Sequence, residues 1–172
     1  LADTEAWPDG LAAARAIGLN TLSTFTKTMK PDDAQVWALA DQACQQGFRL
    51  LDVDSTWHQI VGRHQDDPGI FCQFADGTVG KSLCPSYRGQ WYADDLQRIA
   101  RECARLQPDY LSADVELWNW RGPVDPEKCT RCQADKEASG IATWEEWKLQ
   151  KGYEMWRDLN QAVQAAVKDA GG

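Results

Sequence analysis

No apolar run in the 172 residues reaches the roughly 20 needed to cross a bilayer, so no membrane span is expected. No basic patch with interleaved aromatics occurs either. Acidic residues outnumber basic ones 26 to 18, for a formal net charge of −8. Such a surface repels phosphate backbones, and no nucleic-acid partner is expected. Histidine is limited to His58 and His64. Each falls in a predicted loop, where a solvated or hydrogen-bonded imidazole is the ordinary outcome, so neither is taken as a ligand or a base. The first ten residues, LADTEAWPDG, show neither the basic start nor the apolar stretch of a signal peptide. There is no internal repeat and no low-complexity tract. What is left is the profile of a globular chain, 43% hydrophobic and 26% charged, long enough for one domain with a core.

Tryptophan is abundant, with nine copies. Most are expected in the core, because tryptophan is highly buried on average. Trp57, Trp118 and Trp120 lie next to predicted strand ends and are candidate platforms for a flat sugar face. Six cysteines are present. Cys44 and Cys103 fall in helical patterns and are expected as buried thiols. Cys72, Cys84, Cys129 and Cys132 lie in or beside predicted loops. The stretch CTRC supplies a Cys-x-x-Cys pair, and Cys72 and Cys84 complete a four-ligand set for a structural zinc. Disulfides, with Cys72 joined to Cys84, are the alternative. A thioredoxin-like redox role is not expected, because the motif falls in a long loop rather than at a helix start. Beyond a structural zinc, no cofactor is expected.

Along the chain, helical and strand patterns alternate. Residues 12–17 read as a helix end closed by Gly18, and LNTLSTF, residues 19–25, as a strand. A helix opens at KPDD and carries Val36, Trp37, Leu39, Ala40, Ala43 and Cys44 at helical spacing until Gly47. FRLLDVDSTW, residues 48–57, is the second strand. Residues 58–80 read as a long loop and KSLCPSY, residues 81–87, as the third strand. Residues 93–107 form an amphipathic helix that places Leu96, Ile99, Ala100, Cys103 and Leu106 on one face. The fourth strand runs from about 109 to 117. A second long loop follows to about 141, and Thr143 with Glu146 forms the capping box of a helix over 144–170. This alternation predicts an α/β fold of parallel βα units. About four strands are expected, as the first half of a (β/α)8 barrel, since a whole barrel needs about 250 residues. An open doubly wound sheet is the alternative.

The fourth strand carries the chemistry. Along YLSADVELW, Tyr110, Ser112, Asp114, Glu116 and Trp118 share one face, and Leu111, Ala113, Val115 and Leu117 the other. The apolar face would pack on helices, and the polar face would point to the mouth of the sheet. Ligands bind at the carboxyl ends of strands in parallel α/β folds, and Glu116 falls there. A carboxyl held beside another charge works as a general acid near neutrality, so Glu116 is the candidate acid/base and Asp114 the group that holds or orients its proton. Asp54, Trp57, Tyr87 and Arg88, at the ends of the second and third strands, are candidate contacts for a polar ligand.

DYLSADVELW resembles the fourth-strand signature of family 18 chitinases, with Asp109, Asp114 and Glu116 on three of its acidic positions. Tyr110 stands in place of a glycine and Ser112 in place of an aspartate. The resemblance implies that Glu116 is the general acid and that Asp114 positions the substrate's acetamido group. More widely, LCPSYRG, DVELW and CTRCQADKEASGIATWEEW together resemble the first half of a glycoside-hydrolase-type (β/α)8 domain. That implies a poly- or oligosaccharide partner, with the rest of the barrel or a second copy closing the sheet. Glycosidases use two carboxyl groups, so a second is expected on a later strand, with Asp54 the internal substitute; a non-catalytic carbohydrate-binding barrel and a zinc-stabilised domain of other activity are the alternatives. An extracellular or periplasmic location is expected.

Overall fold

The computed structural model describes residues 9–25, 34–54, 57–113 and 125–170. In chain order the elements are α1 (Gly10–Ala16), β1 (Thr21–Phe25), α2 (Ala34–Gln45), β2 (Arg49–Asp54), α3 (His58–His64), β3 (Phe71–Gln73), β4 (Val79–Leu83), α4 (Gln90–Leu106), β5 (Tyr110–Ala113), α5 (Asp125–Lys128), α6 (Thr130–Ser139) and α7 (Trp144–Asp169). The chain divides into two compact units. One comprises the residues up to Asp54 with Arg105–Ser112, and the other Ser55–Ala104 with the residues from Ala113 onward.

The first unit is built on a three-stranded parallel sheet in the order β1-β2-β5. Thr21 pairs with Arg49 and the register continues to Phe25 opposite Val53. Strand alternation is plain in β2, where Leu50, Asp52 and Asp54 are buried while Arg49 is exposed. α2 ends at Gly47, whose φ of +78° is left-handed. That conformation lets the Gly47 N–H reach the Cys44 carbonyl at 2.8 Å and the Phe48 N–H reach the Ala43 carbonyl at 3.0 Å, so the chain turns sharply into β2. Leu11, Ala40, Ala43, Phe48, Leu50 and Leu106 form the core. The Asp109 carboxylate accepts the Leu50 N–H at 3.0 Å. One of the three acids of the chitinase-like signature therefore serves to hold β2. In β5, Leu111 and Ala113 are half-buried and Tyr110 and Ser112 exposed. Cys44, expected inside, is exposed on α2, whereas Cys103 is buried as expected.

KSLCPSY does not join the parallel sheet. Its strand, β4, pairs antiparallel with β3 in a separate two-stranded hairpin, Phe71 opposite Leu83 and Gln73 opposite Val79. The cause is a tight turn at Asp76-Gly77. Gly77 has a φ of +84°, and Asp76 Oδ1 accepts from the Thr78 N–H at 3.0 Å and hydroxyl at 2.7 Å. An Asp-Gly pair between strand-forming residues is a strong hairpin signal. The described residues thus hold three parallel strands rather than four. The expected loop over 58–80 contains α3, a 3-10 turn at Pro68–Ile70 and β3. Within the expected loop over 119–141, α5 and α6 occupy residues from Asp125 to Ser139.

In the second unit, α4 buries Ile99, Ala100 and Cys103, as its periodicity demands. It also buries a charged triad that the pattern does not announce. Arg98 donates to Asp95 at 2.9 Å and to Glu102 at 2.9 Å, so these charges are held in pairs. α7 starts at the expected capping box: Thr143 Oγ1 accepts the Glu146 N–H at 3.2 Å and donates to the Glu146 carboxylate at 2.9 Å.

Candidate metal centre

The hairpin and the start of α6 bring four cysteines to one point. Cys72 is the middle residue of β3, and Cys84 follows β4 directly. The Cys84 N–H donates to the Ile70 carbonyl at 2.8 Å, which continues the hairpin by one residue. The Tyr87 N–H then donates to the Cys84 carbonyl at 2.9 Å, closing a turn over Cys84-Pro85-Ser86-Tyr87. Cys129 caps α6 in an extended conformation, and Cys132 lies in the first turn of that helix. An antiparallel bridge between Phe74 and Cys129 fixes α6 to the end of β3. The Cys-x-x-Cys pair therefore opens a helix rather than lying in a long loop. The sequence signal for α6 is an unbroken run without glycine or proline from Glu127 to Ser139, closed by Gly140 at a φ of +69°.

All four cysteines are free, and each is at most 1% exposed. Their Sγ atoms lie within 4.8 Å of one another, with Cys84 at 3.4 Å from Cys132 and 3.8 Å from Cys129. Four sulfurs at the usual Zn–S length of about 2.3 Å around a tetrahedral ion stand roughly 3.8 Å apart. A disulfide requires about 2.05 Å. The spacing therefore suits four ligands of one ion.

Donors reach two of the sulfurs. The Gln73 N–H donates to Cys129 Sγ at 3.3 Å. Hydrogen bonds from Cys132 and Cys72, aided by the Ser86 N–H and the Arg131 charge, hold the Cys84 thiol down to about 3 against the effect of burial. The Cys72 thiol is pushed up by its bonds to Cys132 and Cys84 and by burial. Against its bond to Cys72, the Cys132 thiol is likewise raised, by its bond to Cys84 and by burial. A metal ion replaces such shared protons, since only thiolates bind it.

Trp147 completes the cluster, with Phe74, Tyr87, Ile141 and Trp144 packed around it. Trp144 meets Trp147 edge to face at 5.3 Å. Outside this wall runs a belt of ion pairs. Lys151 pairs with Asp135 and Glu154, both at 2.9 Å, and Asp135 accepts from Ser86 at 2.6 Å. Sequence periodicity does not single out Trp147, because eight other tryptophans compete for the same notice.

No family model matches the chain, and neither a curated protein nor a solved structure does.

The other candidate residues are placed as follows. Arg88 donates to the Pro85 and Tyr87 carbonyls, lies 4.7 Å from the Tyr92 ring and is 3.6 Å from Glu154. Tyr87 accepts the Trp91 N–H at 3.3 Å. Its ring passes so close to Gly89 that a Cβ there would stand 2.7 Å from it. Trp57 is 5% exposed and stacks on Tyr92 at 5.1 Å. Asp54 is buried at the carboxyl end of β2. Asp114, Glu116, Trp118 and Trp120 lie outside the described residues.

Proposed function

We propose that Cys72, Cys84, Cys129 and Cys132 hold one zinc ion in a closed structural site, and that the chain is a zinc-stabilised α/β domain. The observation that carries this reading is four buried Sγ atoms within 4.8 Å of one another. Catalytic zinc sites keep one position for water and use three protein ligands, whereas four-cysteine sites are structural. All-sulfur donor sets also select zinc or iron over calcium and magnesium. The ion would tie the β3–β4 hairpin to the start of α6. Protein purified under reducing conditions is expected to contain about one zinc per chain; a metal-free, fully folded sample would count against the proposal.

A second reading is supported by the parallel β1-β2-β5 order and by Asp54, buried at the carboxyl end of β2. It is a carbohydrate-active domain of the glycoside hydrolase type, built on the first part of a (β/α)8 barrel. In the chain, the cysteine-bearing hairpin and α4 occupy the connection from β2 to β5. In barrel enzymes such strand-to-helix connections carry the working residues. Glu116 would be the general acid/base, Asp114 its modulator, and an oligo- or polysaccharide the substrate. Tyr87, Arg88, Trp118 and Trp120 would contact it, whereas Trp57, buried against Tyr92, is withdrawn from the contact set. The test is Glu116→Gln. The reading expects glycoside cleavage by the full-length protein to fall by at least ~100-fold, the lower end of what a general acid contributes, with zinc content unchanged. Retained cleavage would remove Glu116 from the role.

A further inference from the structure

Independently of the metal centre, we infer that the outward face of α7 docks against α7 of a second copy of this chain, the two helices running parallel and in register. α7 buries Trp147, Lys151, Gly152, Met155 and Leu159. The opposite side of such a helix is ordinarily polar. Here Leu149 is 75% exposed, Tyr153 63% and Trp156 42%. Exposed apolar side chains scattered singly need no explanation. These three recur at steps of four and three. The same steps lead on to Asn160, which is exposed, and to Val163 and Val167, which are half-buried. The stripe runs along roughly 27 Å of the helix, with the 3.5-residue repeat of a coiled-coil seam.

Asn160 points to the occupant. An apolar helix laid on the stripe would strand its amide, whereas the same position of a second copy offers both a donor and an acceptor. A lone asparagine on such a seam fixes register and oligomeric state in this way. The flanking positions agree. In the parallel pairing Glu145 stands opposite Gln150, Gly152 opposite Arg157 and Leu159 opposite Gln164. No like charges meet across the seam, although each chain carries a net charge of −8. An antiparallel pairing about the middle of the stripe would instead set Asn160 against Trp156 and bring the two Arg157 side chains together. The helix is already held by the residues it buries, so docking does not carry the ordering cost of a free helix. Tyr153 and Trp156 are also of the residue types enriched at the centres of protein interfaces.

The test is sedimentation of the purified chain over a concentration series, where one copy weighs 19.3 kDa. A doubled mass that dissociates on dilution is expected. Tyr153→Glu changes an exposed side chain and is expected to weaken the dimer ~10-fold or more. Asn160→Asp and Asn160→Lys read the register. Each alone sets like charges against each other and is expected to weaken the dimer ~10-fold or more. An equimolar mixture of the two, in which opposite charges meet, is expected to restore it. Circular dichroism is expected to show unchanged helix content in all three variants. A wild-type chain that stays at one copy throughout the series would overturn the inference, as would a dimer that Tyr153→Glu leaves intact. A mixture of folded variants that associates no better than its components would overturn the parallel register.

Discussion

A single buried cysteine behaves as a small hydrophobe, and Cys103 on α4 is one. Cys84 differs because three other sulfurs share its space and the Ser86 backbone donates to it. Cys84→Ser is expected to lower zinc affinity by more than ~100-fold, beyond the range of outer-shell losses. Cys44→Ser is the matched control: Cys44 is exposed on α2, and its loss is expected to leave metal content unchanged. Metal analysis of the two variants side by side decides. A second residue-scale prediction concerns Tyr92. Burial pushes its phenol up, with Arg88 pulling down and Asp158 pushing further up. The phenol thus keeps its proton in the fold to higher pH than in the unfolded chain, whose tyrosines ionise near 10. Its stabilising contribution is complete below about pH 10 and declines as pH rises above it. Denaturant midpoints measured from pH 9 to 11.5 are expected to fall with pH more steeply in the wild type than in Tyr92→Phe.

At the scale of elements, what the sequence makes legible depends on how local the cause is. α7 was legible because Thr143 and Glu146 satisfy each other at the helix start. Thr143→Ala is expected to cost ~1 kcal/mol, read as a shift in the denaturation midpoint. β1, β2 and β5 were legible from alternation and from Gly47. The β3–β4 hairpin escapes sequence patterning because β3 is only three residues long, too short for periodicity to register. The Asp76-Gly77 turn was the available cue. α6 escapes it too, because its amphipathic signal is faint: Cys132 is its single buried residue. Its placement follows from the bridge to Phe74, a contact 55 positions away along the chain, which no local pattern encodes. Residue type and spacing name the four candidate ligands, but they do not separate zinc from disulfide, because that difference lies in the distances between sulfurs.

At the scale of the molecule, the two compact units rest on different means of support. The first has a parallel sheet with an apolar core. The second joins three long helices to very short pieces, among them a three-residue strand and a four-residue helix. An isolated two-stranded hairpin is marginal in water at best. The proposed zinc, at the meeting point of β3, the end of β4 and α6, would stabilise the folded state by its whole binding free energy, of order 10 kcal/mol for structural zinc. On the proposed zinc reading, the ion would do for these short elements what a larger core does elsewhere. X-ray absorption at the zinc edge of the purified chain tests this most directly. The account predicts four sulfur neighbours at about 2.3 Å and no lighter first-sphere atom; a zinc with oxygen or nitrogen neighbours, or a folded chain without zinc, would contradict it.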